Sequence, residues 1–117
     1  EYLVKYYYER YGLPILFAEN GVAITEWKTL DGVIPDDMRI DYIRRHLTEI
    51  KKVAEKYPVT GYFYWSFIDN FEWTAGYTKR FGLVYVDYET LERTPKKSAY
   101  WYKKVIETNG EDLSSNG

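Results

Sequence analysis

The sequence predicts an α/β protein that contains part of a parallel sheet and is incomplete on its own. Two short apolar runs, 15–18 and 59–66, are separated by a loop and by the clearest helical pattern of the chain. A strand, a helix and a second strand in this order form a parallel unit with a right-handed crossover. Two such strands leave both edges of the sheet open, and strands this apolar need cover on both faces.

The length of the chain also indicates a piece of a larger fold. It has 117 residues, whereas a closed barrel of eight parallel strands takes about 250. We therefore expect a segment of such a barrel. The alternative, a small self-sufficient α/β domain, is disfavoured because its open strand edges would promote aggregation.

The composition excludes several classes of function. The net charge of −2 gives no support for a nucleic-acid or membrane partner, and no apolar run approaches membrane-spanning length. The chain has no cysteine, which excludes disulfides and thiolate metal sites. This is compatible with a reducing compartment, so we expect a cytoplasmic location. Aromatic residues make up 20% of the chain, and such rings serve either a core or a sugar-binding surface.

The first predicted elements are a helix and a buried strand. Residues 1–11 have apolar positions at helical spacing, and Gly12 follows as a stop signal. The strand, at about 14–19, ends in Glu19, and a turn-forming Asn-Gly pair comes next. A charge at the end of a buried strand is costly unless it is paired or used. From these residues alone, Glu19 is either functional or the start of a surface loop.

Two more helices and a second strand follow. A helix is predicted over 36–57, where apolar residues recur at spacings of three and four, and the second strand covers about 60–66. His46, the only histidine, lies on this helix without a nearby ligand partner and is interpreted as structural. The last helix is expected at about 95–107, and the Gly/Ser/Asn-rich stretch 108–117 as a flexible tail.

Two glutamates, Glu19 and Glu72, each follow an apolar strand, and tryptophans lie near them in the sequence. The carboxyl ends of parallel strands meet at one face of a barrel, so both carboxylates are expected there with Trp65 and Trp73. Carboxylates among aromatic rings suggest a glycoside hydrolase site, with one carboxylate beneath the anomeric carbon and an acid beside the leaving oxygen. The role of Glu72 stays open at this point. It is an acid catalyst, a partner of the loop backbone, or a group that holds sugar hydroxyls.

Six short motifs extend over nearly the whole chain, from about Tyr6 to Ile106. They are Glu19-Asn20-Gly21, 61–66, 69–73, 76–77, 80–88 and 93–102. In order and spacing they resemble the C-terminal quarter of the family 1 glycoside hydrolases, of the β-glucosidase type. The resemblance implies a (β/α)8 TIM barrel in which residues 1–107 supply about the last two βα units. The strands at 14–19 and 60–66 would be the seventh and the eighth.

The resemblance also implies a role for each site residue in a retaining mechanism of double displacement. Glu19 is then the nucleophile that forms the covalent glycosyl intermediate. Trp65 is the platform beneath the sugar, Glu72 holds the two hydroxyls farthest from the scissile bond, and Trp73 donates from its indole N–H. Phe81 is the wall near the hydroxymethyl group. By this resemblance Glu72 binds the sugar and is not the acid.

Part of the family pattern is missing from this chain. The Asn-Glu-Pro motif that supplies the acid/base glutamate does not occur, and Ala18 replaces the Thr that usually precedes the nucleophile. We therefore expect hydrolysis of β-glycosides or oligosaccharides only together with the N-terminal portion of the barrel, in the same chain or a separate one. No cofactor and no metal ion is expected. The alternatives are an inactive fragment and a non-catalytic carbohydrate-binding module that uses Trp65, Glu72 and Trp73.

Overall fold

The computed structural model describes residues 1–114 as three helices and four strands. In chain order they are α1 (Tyr2–Tyr11), β1 (Ile15–Asn20), α2 (Asp37–Ala54), β2 (Val59–Tyr64), β3 (Val84–Val86), β4 (Arg93–Pro95) and α3 (Lys97–Glu107). Within this described part, none of the helices is long and apolar enough to cross a membrane.

The strands β1 and β2 pair in parallel, which confirms the predicted strand–helix–strand unit. Phe17 lies opposite Tyr62, and the next pair is Asn20 opposite Tyr64. The chain thus advances three residues along β1 against two along β2. This extra residue is a β-bulge in β1, close to its carboxyl end.

Helices α2 and α3 cover one face of this sheet and enclose the core, while the other face is open. The buried core residues are Ile40, Ile43, Leu83, Trp101 and Val105, with the rings of Tyr62 and Tyr64 packed against them. On the open face, Leu16 is 52% exposed and Phe63 is 59% exposed. Residues 1–114 therefore do not supply the cover on both faces that strands of this kind need.

Two helices end near the positions that the sequence indicates. Gly12 ends α1 in the left-handed conformation at φ 63°, and its N–H donates to the Tyr8 carbonyl at 2.8 Å. Helix α2 ends at Ala54, short of the predicted end at 57. The N–H groups of residues 56 and 57 both donate to the Val53 carbonyl, at 3.1 and 3.0 Å, which closes the helix with a turn.

The start of the last helix differs from the prediction. The sequence predicts this helix from about 95, whereas α3 begins at Lys97 and Arg93–Pro95 pairs with Val84–Val86 as an antiparallel ribbon. The Lys96 N–H extends the ribbon by donating to the Leu83 carbonyl at 2.9 Å. The Thr-Pro pair is a local signal for the start of a helix, and the pairing of these residues with β3 overrides it.

The stretch 108–117, which the sequence predicts to be a flexible tail, makes contacts with α3 and the core in the part that the structure describes. The Trp101 indole N–H donates to the Ser114 carbonyl at 2.7 Å, and Lys104 pairs with Asp112 at 2.7 Å. Leu113 packs against the core. Residues 108–114 therefore fold back onto α3, and 115–117 lie outside the described residues.

Candidate functional site

The carboxyl ends of β1 and β2 lie side by side. The Trp65 N–H donates to the Asn20 carbonyl at 2.9 Å, one residue beyond the last pair of the sheet. Glu19 is exposed, and Trp65 is 41% exposed. Side chains alternate along a strand, so Trp65 lies on the same side as Phe63, which is the open face. The structure thus brings Glu19 and Trp65 to neighbouring strand ends.

The bulge in β1 sets the direction of Glu19. Ala18 and Glu19 are both exposed, whereas Phe17 before them and Asn20 after them are half-buried. The extra residue lets Glu19 leave the helix-covered face while Asn20 stays on it. Bulges beside active sites re-aim side chains in this way.

Asn20 anchors the end of β1 to the helix-covered face. Its Oδ1 accepts from the Tyr62 hydroxyl at 2.9 Å, and its Nδ2 donates to the Tyr42 hydroxyl at 3.2 Å. Burial raises the pKa of Tyr62, which keeps this hydroxyl protonated and able to donate. The sequence indicates only a turn-forming residue here, whereas the structure shows an amide that holds the backbone beside Glu19.

Gly21 is required by the close approach of two backbones. A Cβ at this position would lie 1.8 Å from the Trp65 carbonyl oxygen and 2.9 Å from the carbonyl carbon. No side chain is accommodated at such distances, so only glycine lets β1 and β2 end together. The sequence pattern predicts a turn at Gly21, and the structure adds the reason for this residue type.

Glu72 and Trp73 lie in a tight turn within the loop that follows β2. The Glu72 N–H donates to the Gly76 carbonyl at 2.8 Å, and the Gly76 N–H donates back to the Glu72 carbonyl at 2.5 Å. Gly76 has a φ of 59°, in the left-handed region that favours glycine. Glu72 is half-buried, and Trp73 is 91% exposed. A turn, and not the sheet, therefore presents both side chains.

Phe81 lies where this loop returns to the end of β2. Its carbonyl accepts from the Tyr64 hydroxyl at 2.8 Å and from the Ser66 N–H at 3.3 Å. The Phe81 side chain is half-buried. These contacts tie Phe81 to the strand end that carries Trp65.

The loops after β1 and β2 are joined to each other as well. Ile24 and Arg80 exchange two backbone hydrogen bonds, of 3.0 and 3.1 Å. Arg39 of α2 donates to the Arg80 carbonyl at 2.8 Å. The backbone beside Phe81 is thus fixed against the loop that follows Glu19.

Six charged side chains lie where these loops meet α2 and α3. We call them the ion network. Its members are Glu26, Asp36, Arg39, Asp69, Arg80 and Lys96, with side chains at most 12% exposed. Three acids face three bases, so their formal charges cancel. Asp36 and Arg39 are three residues apart, whereas the other ion pairs join residues 11 to 70 positions apart, which leaves no local pattern to find them by.

Bridging contacts connect the members of the ion network. Arg39 donates to both oxygens of Glu26, at 3.0 and 3.2 Å. Lys96 donates to Asp69 at 2.8 Å and contacts Glu26. Burial, and then the charge of Arg39, lower the pKa of Lys96, while its two acidic partners oppose that shift. Within residues 1–114, no three side chains of the usual metal-ligating types form a common site.

The fold and the site define an α/β protein with carboxylates and tryptophans at and just beyond the carboxyl ends of parallel strands. The sequence model described as "Glycosyl hydrolase family 1" matches residues 1–111. The chain belongs to glycosyl hydrolase family 1. This confirms the family that the motifs resemble.

Relatives from two Thermotoga species resemble this chain along most of its length. Beta-glucosidase A of Thermotoga maritima is 45% identical over 111 residues, which cover 93% of this chain and 25% of the relative. The 1,4-beta-D-glucan glucohydrolase of Thermotoga neapolitana is 46% identical over 97 residues, which cover 82% and 22%.

Solved structures support the same assignment. The beta-glucosidase from Thermotoga maritima in complex with deoxynojirimycin matches with a TM-score of 0.90 at 43% identity, over 95% of this chain and 26% of that chain. The α/β class agrees with the prediction. The chain spans about a quarter of the length of these proteins, which is consistent with one part of a larger barrel.

Proposed function

We propose that this chain forms the C-terminal part of a retaining β-glycosidase, with β1 and β2 as the last two strands of a (β/α)8 barrel. The observation that carries the proposal is the pairing of the two strand ends, with Glu19 on one and Trp65 on the other, in a family 1 chain. Active sites of such barrels lie at the carboxyl ends of the strands. The helix-covered face then points outward, and the open face lines the barrel interior.

In this proposal Glu19 is the nucleophile of a double displacement. Its carboxylate attacks the anomeric carbon to form a glycosyl ester, and the glycosidic oxygen leaves with a proton from an acid of the N-terminal portion. Water then attacks the same carbon while the conjugate base takes its proton, and Glu19 leaves as the free carboxylate. Both transition states resemble an oxocarbenium ion, which the negative charge of the carboxylate stabilises.

Four further residues hold the sugar in this proposal. Trp65 offers its ring as the platform beneath the pyranose. The Glu72 carboxylate accepts hydrogen bonds from two adjacent hydroxyls, and the Trp73 indole N–H donates to a hydroxyl. Phe81 forms the wall near the hydroxymethyl group. The names of the two relatives, and the deoxynojirimycin complex of one, favour a β-glucoside as substrate.

The N-terminal portion of the barrel is the proposed partner of this chain. The open face exposes Leu16 and Phe63 at 52% and 59%, and further strands of a barrel would cover them. The chain matches a quarter of its relatives, which leaves the rest of the barrel to be supplied. The cytoplasmic location stays a prediction from the sequence.

The experiment mixes this chain with the N-terminal portion of the Thermotoga maritima relative, and we call this complex the reconstituted barrel. It should hydrolyse an aryl β-glucoside, and Glu19→Gln should reduce turnover to background because no group attacks the anomeric carbon. Glu55→Gln is the matched control, since Glu55 is exposed beyond the end of α2, and turnover should be unchanged. A folded complex without activity contradicts the proposal.

Covalent labelling identifies the nucleophile directly. An activated 2-deoxy-2-fluoro-β-glucoside forms the glycosyl ester and releases it slowly, so a peptide containing Glu19 should gain the mass of the sugar. Glu72→Ala should weaken sugar binding and turnover but still permit labelling at Glu19. Label on any other carboxylate would show that Glu19 is not the nucleophile. Sugar binding by the isolated chain, with no activity in the complex, would favour a carbohydrate-binding module.

A further inference from the structure

The ion network lies at both ends of the segment that carries Glu72 and Trp73. Asp69 precedes this segment and Arg80 follows it, and their side chains form an ion pair of 2.7 Å. The pair closes the loop at its base, while the turn between Glu72 and Gly76 closes it at its tip. A contact between charged side chains therefore joins the two ends of the segment.

Four hydrogen bonds converge on the side chain of Asp69. Its Oδ1 accepts from Lys96 at 2.8 Å and from the Gly82 N–H at 3.0 Å. Its Oδ2 accepts from Arg80 at 2.7 Å and from the Val86 N–H at 3.4 Å. The residue is only 4% exposed. Four donors on one buried carboxylate fix the base of the loop against β3 and the start of α3.

Arg80 extends this arrangement to the aromatic residues beside the loop. Its guanidinium carbon lies 4.1 Å from the ring centre of Tyr85 and 4.6 Å from that of Tyr88. The Tyr88 hydroxyl in turn donates to the Asn70 carbonyl at 3.3 Å. The first residue of the segment is thus tied to the same cluster.

Stability alone does not account for a buried network of this kind. Buried ion pairs are often matched or exceeded in stability by well-packed apolar residues of the same volume. In the segment itself the Tyr77 ring contacts the rings of Phe71 and Tyr88, at 5.4 and 4.5 Å between ring centres. Phe71, Trp73 and Tyr77 nevertheless remain 53%, 91% and 56% exposed. The charged base therefore adds to the turn and the ring contacts in giving Glu72 and Trp73 a defined position.

We propose that Asp69 is a positioning residue: it holds the loop that carries Glu72 and Trp73 in the position, relative to Glu19, that glycone binding requires. The inference rests on the proposed function, because that function makes Glu72 and Trp73 contacts of the sugar. Asp69 does not touch the sugar. It acts through Arg80 and Lys96, which lock the base of the loop.

Asp69→Asn in the reconstituted barrel tests the proposal, with Asp36→Asn as the matched control. Both variants remove one acid of the ion network, at positions that are 4% and 3% exposed. Asp36 accepts from the Ser98 N–H at 2.8 Å and contacts Arg39, so its partners lie on α2 and α3 and not on the loop. A purely structural role of the network predicts equal effects of the two variants.

For Asp69→Asn we expect the KM for an aryl β-glucoside and the Kd for deoxynojirimycin to rise roughly 10- to 100-fold, because small displacements of binding groups have effects of this size. Amide hydrogen exchange over 70–79 should become faster, while exchange over 13–20 stays the same. For Asp36→Asn, stability should fall, but KM, Kd and the exchange over 70–79 should stay within about twofold.

Equal changes for the two variants, or unchanged Kd and exchange in folded Asp69→Asn, would overturn the proposal. If Asp69→Asn does not fold, Arg80→Lys replaces it in the experiment, and the same results are expected. Lysine keeps the positive charge but lacks the planar guanidinium that makes these contacts. If the unmodified barrel folds without activity, the proposed function fails. The exchange comparison over 70–79 then still decides whether Asp69 positions the loop.

Discussion

The end of β1 and the loop after β2 each present a candidate site carboxylate, but different forces hold them in place. Glu19 lies on a strand whose backbone is paired with β2, and the neutral side chain of Asn20 completes its anchoring. Glu72 lies on a turn outside the sheet. The base of its loop is held by the buried ion pairs of Asp69 with Arg80 and Lys96.

The difference follows from what the backbone supplies in each region. Along β1 the sheet fixes register and direction, so neutral hydrogen bonds are enough to hold the strand end. The loop after β2 lies outside this sheet. Its backbone hydrogen bonds join Glu72 to Gly76 at the tip and Arg80 to Ile24 at the base, and charged side chains that reach between elements add to them. A buried ion pair is favourable only while it is complete, because removal of one partner leaves a buried charge without compensation. The loop should therefore be more sensitive than the strand end to the substitution of a single residue.

The largest effect is expected from removing one charge of the ion network. Arg39→Met leaves Glu26 and Asp36 buried without their guanidinium partner, so the free energy of unfolding should fall by about 3–5 kcal/mol. Urea unfolding of the reconstituted barrel measures this. In the control Arg45→Met, the lost pair with Asp41 is on the surface, with Arg45 74% exposed, and the loss should stay below about 1 kcal/mol. Similar losses would contradict the view that burial makes the ion network sensitive to the removal of one charge.

The next largest effects are expected where a glycine lets two backbone segments approach closely, and each region has one such glycine. Gly21→Ala would bring a Cβ within 1.8 Å of the Trp65 carbonyl oxygen, and Gly82→Ala would bring one within 2.2 Å of the Asp69 nitrogen. Backbone has to move in both cases, so each variant should lose about 1–3 kcal/mol of unfolding free energy. Urea unfolding of the two variants under identical conditions measures the loss.

Gly61→Ala is the matched control for both glycine variants. Its Cβ would meet the Leu16 Cδ1 at 2.9 Å, which is the end of a flexible side chain. The loss should therefore stay below about 1 kcal/mol. If Gly21→Ala were no less stable than this control, the contact between the two strand ends would not restrict the residue at position 21.

The strand ends could be predicted from the sequence because their signals are local. An apolar run that ends in a charge and an Asn-Gly pair locates the end of β1, and the motifs locate Trp65 and Glu72. The bulge that exposes both Ala18 and Glu19 could not be predicted in this way. It exists only in the register between β1 and β2, which a single strand does not specify.

The ion network could not be predicted because four of its five ion pairs join residues 11 to 70 positions apart in the chain. Lys96 and Glu26 are separated by 70 residues, and nothing near either of them specifies the other. The pairing of β4 with β3 could not be predicted for a different reason, since its partners are only 7 to 11 residues apart. Residues 93–95 carry a local start signal for a helix, and tertiary pairing with β3 overrides it.

Tyr64 connects the two regions and should make the stability of the barrel sensitive to alkaline pH. Its hydroxyl donates to the Phe81 carbonyl at 2.8 Å, and burial raises its pKa from 10.0 to about 12. Between these values the unfolded chain loses the phenol proton first, so stability falls as the pH rises. At pH 11 the loss that comes from Tyr64 should be about 1.4 kcal/mol.

Tyr64→Phe tests this pH dependence by urea unfolding at pH 9 and pH 11. The variant lacks the hydrogen bond at both pH values, but its stability should fall by about 1.4 kcal/mol less between them. Comparing how far the stability of the parent and of the variant falls between pH 9 and pH 11 separates the effect of ionisation from that of the lost hydrogen bond. Parallel slopes for the parent and the variant would contradict a pKa raised by burial.

The smallest effect is expected at the neutral anchor of β1. Tyr62→Phe removes the hydroxyl that donates to Asn20 Oδ1 at 2.9 Å, while the contact between Asn20 and Tyr42 remains. One neutral hydrogen bond is lost, so the free energy of unfolding should fall by about 0.5–1.5 kcal/mol. A loss as large as that of Arg39→Met would show that the two regions do not differ in the way described.

Kinetic measurements on Tyr62→Phe distinguish the anchor of β1 from the base of the loop. Because Asn20 adjoins Glu19, Tyr62→Phe should slow the covalent labelling of Glu19 roughly two- to tenfold, which corresponds to the loss of one neutral hydrogen bond. The Kd for deoxynojirimycin should change by less than about twofold. Asp69→Asn should act mainly on that Kd, since it displaces sugar contacts and leaves β1 in place. If both variants changed labelling and Kd by the same factor, the strand anchor and the loop base would act as a single unit.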